Sequence, residues 1–250
     1  MIPLAALVVG TALAAAPADT GARWQAALQY GFEAFTRTLA AWQAASARLE
    51  RRTPAGSLAL EALTATRFGL RDAGGAAEAY WPAWRRAYVN ARLQVLPGAA
   101  VLPRVDILAE AYQGLPGGWE ISAGYRRMAF LGAGVDLWSA SAARYAGSWY
   151  LRSRLTLVPQ AGRLGASGSL LARRYLRSDL DLVELQAGVG REVVVIGAGP
   201  VVDVRGTRFV AARAQVEIAR GFALAVAATV NDQKGLPTRR GLTVSVTHRW

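Results

Sequence analysis

Apolar and polar residues alternate one for one through most of this chain. Trp24, Ala26, Leu28, Tyr30 and Phe32 fall on one face, opposite Gln25, Gln29 and Glu33. Successive side chains of a strand point to opposite sides, so the segment reads as a strand with one apolar face. The pattern recurs. Leu58, Leu60 and Ala62 alternate with Ala59, Glu61 and Leu63; Val89, Ala91, Leu93 and Val95 oppose Tyr88, Asn90, Arg92 and Gln94. Val105, Ile107, Ala109 and Ala111 oppose Asp106, Glu110 and Tyr112, and Trp149, Leu151, Leu155 and Leu157 oppose Tyr150, Arg152, Arg154 and Thr156. Further segments centre on Leu185, Ala214 and Val226. The last runs through Leu242, Val244, Val246, His248 and Trp250, opposite Thr243, Ser245, Thr247 and Arg249.

Each segment has roughly the ten residues that a tilted strand needs to cross a bilayer. A soluble barrel or sandwich with a polar exterior would also alternate. The apolar faces distinguish the two, because several run five positions without a charge and carry Trp or Tyr at their ends, as lipid-facing strands with aromatic girdles do. An aromatic at the chain terminus fits the closing strand of an outer-membrane barrel, which the barrel-assembly machinery recognises. The expected fold is an all-β, transmembrane, antiparallel up-and-down barrel of about 14 strands. The alternative is 12, because Pro82 interrupts the stretch Ala76–Trp84. Short connections at 115–118, 146–148, 177–179 and 220–221 alternate with longer ones expected at 130–134, 159–164, 192–205 and 231–240. Short periplasmic turns and longer outer loops then place both termini in the periplasm.

Composition supports this reading. Hydrophobic residues make up 53% and charged residues 18%, with mean hydropathy +0.19. Past residue 20 no apolar run reaches the ~18 residues of a spanning helix. There is no cysteine, so disulfides, thiolate zinc sites and thiol nucleophiles are excluded. Leu4–Ala16 is an apolar stretch ending in the small residues Ala16-Pro17-Ala18. It reads as a signal peptide over residues 1–18, with the barrel domain over 19–250.

The formal charge is +12, carried almost entirely by Arg; Lys234 is the one lysine. These arginines are scattered through strands and turns rather than clustered on one element, which does not give a nucleic-acid footprint. Outer-membrane lipid and lipopolysaccharide are the better partners, since guanidinium forks match phosphate oxygens. Arg205, Arg208, Arg239 and Arg240 fall at expected outer strand ends and are the candidate lipopolysaccharide contacts. Arg144, Arg152, Arg154 and Arg173 are the candidates for an anion path along the lumen, unless Glu184, Asp136 and Glu120 neutralise them.

No catalytic set emerges. The one histidine, His248, shares the Trp250 face assigned to lipid, where a general base would meet acyl chains rather than substrate. Interior Arg and Glu in similar numbers usually pair and fill a barrel, and two carboxylates at glycosidase spacing cannot be read from sequence. Val193–Pro200 looks like a dinucleotide-binding glycine turn, but Val202 takes the third glycine position and no helix pattern follows. Neither a metal nor a cofactor is expected.

Gly124-Tyr-Arg-Arg127, Arg144-Tyr-Ala-Gly-Ser-Trp-Tyr150, Arg173-Arg-Tyr175, Gly188-Val-Gly-Arg-Glu192 and Arg239-Arg-Gly241, with Pro103-Arg104 and Leu115-Pro-Gly-Gly-Trp119, resemble the YaiO family of outer-membrane β-barrels. The resemblance runs from about Ala76 to Trp250. It implies an outer-membrane barrel and carries no established reaction or catalytic residues. Some relatives are associated with envelope polysaccharide. The functional expectation is a non-enzymatic narrow pore or envelope scaffold, linked to surface polysaccharide. The alternative is an outer-membrane enzyme acting on lipid or glycan through lumen carboxylates.

Overall fold

A computed structural model describes residues 24–36, 39–160, 163–196 and 201–250; the expected leader lies outside the described residues. Fourteen strands run in chain order: β1 (Trp24–Phe35), β2 (Trp42–Thr53), β3 (Gly56–Arg67), β4 (Leu70–Trp84), β5 (Ala87–Val95), β6 (Val105–Gly114) and β7 (Trp119–Phe130), then β8 (Ala133–Ala146), β9 (Trp149–Gln160), β10 (Arg163–Tyr175), β11 (Leu182–Ile196), β12 (Val201–Ala219), β13 (Phe222–Gln233) and β14 (Arg239–Arg249). Each pairs antiparallel with its sequence neighbours, and β14 pairs with β1 to close the barrel. Closure leaves no unpaired edge, so every strand backbone is satisfied by its neighbours, as a hydrocarbon environment demands.

The larger of the two expected strand counts is therefore observed. Pro82 does not split the weak stretch; it sits inside β4, where the register with β5 shifts between Pro82 and Trp84. A bulge at the end of a strand accommodates a residue that cannot donate to the ladder.

The alternation sorts inside from outside. Leu28, Leu170 and Val189 are 64%, 68% and 67% exposed, and exposed apolar residues recur around the whole outer wall. A soluble monomer keeps its apolar patches to a few hundred Å², so this wall is built for lipid. Large polar side chains point inward, with Glu50, Glu110, Asn90, Arg173 and Arg239 all buried. A barrel of 14 strands is wider than the eight-stranded kind that side chains fill completely. Long, paired Arg and Glu side chains are what this interior uses.

Connections at the two ends differ less than expected. Termini and the turns at 54–55, 85–86, 115–118, 147–148, 176–181 and 220–221 share one end, here the terminus end. At the opposite end, the loop end, the connection after β7 is a two-residue turn (131–132), and β9 ends only three positions before β10 begins. The longer loops expected at 130–134 and 159–164 are thus tight, because strand pairing extends further along both hairpins. Residues 192–205 are mostly strand: β11 and β12 pair out to Ile196 and Val201.

Candidate functional site: the barrel lumen

The mid-lumen holds a cavity of about 220 Å³. In and around it, nearby strands put acids beside bases. Arg154 pairs with Glu110, which also accepts a hydrogen bond from the Ser122 hydroxyl at 2.6 Å. Arg173 pairs with Glu184 at 2.5 Å and Arg126 pairs with Asp106. Arg48 meets Glu78 at 2.6 Å and Arg92 meets Glu61 at 2.9 Å. Burial in a low-dielectric interior makes an unpaired charge costly, so these partners are required rather than ornamental. Gly124 makes room for one of them: a Cβ there would sit 3.0 Å from Glu110 Cγ.

Two arginines that line the cavity have no carboxylate partner among the described residues, and Arg67, buried nearer the loop end against Trp42, has none either. Arg213 donates to the Gln215 side chain. Arg152 makes no ion pair; Glu120, which accepts from the Tyr88 hydroxyl at 3.0 Å, acts on it only at longer range. Both guanidiniums line the cavity.

Both ends of the lumen are narrowed. At the loop end, Met128, Phe130, Val135 and Val158 form an apolar cluster onto which Val204 packs. Val204 belongs to the long β11–β12 hairpin, in which Gly190 (φ +153) faces Thr207 and packs close to Ser167. A Cβ at Gly190 would lie 2.3 Å from Ser167 Cα, so only glycine permits this approach. On the opposite wall Trp42 lies between the guanidiniums of Arg67 and Arg239, at 5.0 and 5.6 Å. The loop 96–104 is latched by Asp72, whose carboxylate accepts the backbone N–H groups of Ala100, Val101 and Leu102 at 2.8, 3.0 and 2.7 Å. At the terminus end, Tyr80, Tyr88 and Tyr112 adjoin one another, with Tyr88 and Tyr112 stacked at 4.4 Å. The connection 176–181 is tied down there by Arg249 to Asp179 at 2.5 Å and by the Ser178 hydroxyl to Glu217 at 2.9 Å.

The candidate anion path divides. Arg152, Arg154 and Arg173 face the lumen, and Arg154 and Arg173 are neutralised there. Arg144 does not belong with them. It faces Leu151 in register, stands exposed on the outer wall and lies 5.3 Å over the Trp119 ring. Asp136 is also outside, where it accepts from Arg127 and from the Tyr125 hydroxyl. Arg213 takes the fourth place on the inner wall.

The four expected lipopolysaccharide contacts divide as well. Arg239 is buried inside, 3.4 Å from Glu33, and cannot reach lipid. Arg205 pairs with Asp203 at 2.9 Å. Arg208 and Arg240 stand exposed on the outer wall near the loop end, Arg208 paired with Asp232 at 2.8 Å. On β14, Leu242, Val244, Val246 and Trp250 are exposed outward, and His248 stacks between Phe222 (3.8 Å) and Trp250 (5.1 Å). Among the described residues, no three His, Cys, Asp or Glu side chains gather as a metal site.

Comparison with known proteins agrees with this architecture. The YaiO membrane β-barrel domain matches residues 24–193. The chain belongs to that family. The match begins at the first strand, well before the Ala76 at which the sequence resemblance starts. Among solved structures, the monoaromatic hydrocarbon channel CymD aligns with a TM-score of 0.64 at 8% identity, over 92% of this chain and 89% of that one. A bacterial polysaccharide outer-membrane secretin aligns at 0.53 and 9% identity (93% and 100%), and Salmonella typhi OmpF at 0.51 and 7% (91% and 97%). At such identities the likeness is one of fold. No curated protein matches the chain. Family and fold together make it an outer-membrane β-barrel with porin-like neighbours.

Several lumen residues escape the sequence reading: Glu50, Glu78, Asp72, Arg48 and Arg67. For Glu50 and Arg48 the reason is that β2 has too few bulky apolar residues on its outer face for its parity to stand out. The position of Arg144 had a signal. The two-residue turn Gly147-Ser148 sets Ala146 against Trp149, which puts Arg144 against the outward Leu151.

Proposed function

We infer that this barrel is a narrow, non-enzymatic outer-membrane channel that favours small anions. An even number of strands brings both termini to one end, and we take that end as periplasmic, as in other outer-membrane barrels. The observation that carries the reading is the pair of lumen guanidiniums without carboxylates, Arg152 and Arg213, facing a cavity between two constrictions. Fixed positive charge in a confined path selects for anions. Side chains narrow the lumen at both ends, which argues against a polysaccharide as cargo; the link with surface polysaccharide is then that of an envelope scaffold. An enzymatic role finds less support, because Glu110, Glu184 and Asp106 are each bound to an arginine and are not free to exchange protons with a substrate. Arg208 and Arg240 are the remaining candidates for lipopolysaccharide contact, and the outward face of β14 the one for the barrel-assembly machinery.

The apolar seat of Val204 favours a second reading, a scaffold closed at the loop end. Planar-bilayer recording separates the two. The channel gives a steady small conductance with an anion-side reversal potential in a salt gradient, and Arg152→Gln with Arg213→Gln moves that potential toward cations. A barrel that inserts and stays silent overturns the channel in favour of the scaffold.

A further inference from the structure

Arginine recurs on the outer wall at the terminus end, each time in the same setting. Trp24 opens β1, and directly across from it near the end of β2 is Arg51, whose guanidinium lies 5.5 Å from the indole centroid. Trp119 opens β7 and faces Arg144 near the end of β8, at 5.3 Å. Trp149 opens β9 and faces Arg174 near the end of β10, at 5.5 Å. Phe222 opens β13 and faces His248, stacked at 3.8 Å. The first residue of an outgoing strand is aromatic, and its cross-strand partner on the returning strand is cationic or can become so. Four of the seven loop-end hairpins carry the arrangement.

These three arginines are exposed, and none forms an ion pair among the described residues. The turn arginines Arg85, Arg86 and Arg220 at the same end are also exposed. At this end Asp179 and Asp181 are already held by Arg249 and Arg177, and Glu217 by the Ser178 hydroxyl and the Gly221 N–H. A guanidinium stacked on a ring uses its face and leaves its N–H edge free. That edge fits phosphate oxygens in a bidentate fork. Tryptophan at the interface sets the height at which a headgroup sits.

We propose that Arg51, Arg144 and Arg174, each stacked on its tryptophan, form a ring of sites for the phosphates of anionic glycerophospholipid at the terminus end. This rests on the reading that the terminus end faces the periplasmic, phospholipid-rich leaflet. The ring anchors the barrel in that leaflet and fixes its depth.

The test compares the full barrel folded into phosphatidylcholine vesicles with and without phosphatidylglycerol, by urea-unfolding midpoint and by lipids retained in native mass spectrometry. The wild type gains stability from phosphatidylglycerol and retains it selectively. The Arg51→Gln, Arg144→Gln, Arg174→Gln variant loses that gain, with anionic preference falling about fivefold per arginine removed, while its midpoint in pure phosphatidylcholine stays near wild type. Single Arg→Gln variants give graded losses and keep the test available if the triple does not fold. A wild type indifferent to phosphatidylglycerol overturns the site, as does full preference in the singles and the triple, or a gain seen with lipopolysaccharide alone. Symmetric vesicles make the result independent of which end faces the periplasm. Orientation is read separately, from protease access to a tag at Lys234–Gly235 on whole cells.

Discussion

Arginine inside this barrel and arginine at its terminus-end rim meet opposite conditions. Inside, Arg154 and Arg173 are bound to buried carboxylates, Glu110 and Glu184. At the rim, Arg144 and Arg174 have tryptophan faces and no acid. Inside, a charge has lost most of its water, and only an opposite charge with hydrogen bonds offsets that loss. At the rim, water and headgroups still solvate the guanidinium, so a ring face suffices and the cation keeps its capacity for an external anion. The same residue type is a structural cross-brace in one place and an open ligand site in the other. Arg152 and Arg213 are the exceptions that line the cavity, which is why the functional reading falls on them.

The comparison breaks most visibly at Glu110. Glu110→Ala leaves Arg154 buried without its acid, and Arg154 Nε already lacks a partner. The barrel should lose about 3 kcal/mol or more by urea unfolding, whereas Glu110→Leu combined with Arg154→Met recovers most of it. If the single variant unfolds at the wild-type midpoint, the interior pair is not the brace described.

A smaller effect is expected at Asp72. Asp72→Asn weakens three charge-assisted hydrogen bonds and leaves an amide in their place, at a cost of about 2 kcal/mol. Hydrogen exchange should accelerate at Ala100, Val101 and Leu102 while the strands stay protected, and channel conductance should rise. Unchanged exchange there would show that burial of Leu96 and Val101 alone holds the loop.

The smallest effects contrast the two outer rims. A double-mutant cycle on Arg144 and Trp119 should give about 0.5–1 kcal/mol of coupling. The exposed pair Arg208–Asp232 at the loop end should give less than about 1 kcal/mol, fading as salt rises. Equal couplings with equal salt dependence would erase the distinction between a stacked cation and an exposed ion pair.

Much of this was legible in the chain. The alternation of Leu242, Val244 and Val246 with Thr243, Ser245 and Thr247 gives the same faces in the closed barrel, because a period of two depends on the backbone alone. The placing of Arg144 failed, since alternation is silent on which face of one strand continues which face of the next. That link is made by hairpin register, and a one-residue difference exchanges the faces. Arg239 was misplaced for a related reason: it lies near a strand end as expected, but its parity turns it inward, where Trp42 and Glu33 receive it.

The sequence by itself determined the strands, their apolar faces and the aromatic residues at their ends, since these follow from local periodicity and side-chain chemistry. It could not determine partners. Which acid meets Arg154, and that Trp24, Trp119 and Trp149 each find an arginine across the ladder, depend on register between strands whose contacts lie up to 44 residues apart. Only the pairing of strands in the folded sheet fixes those registers, and register decides which charges are cancelled and which stay open for an anion.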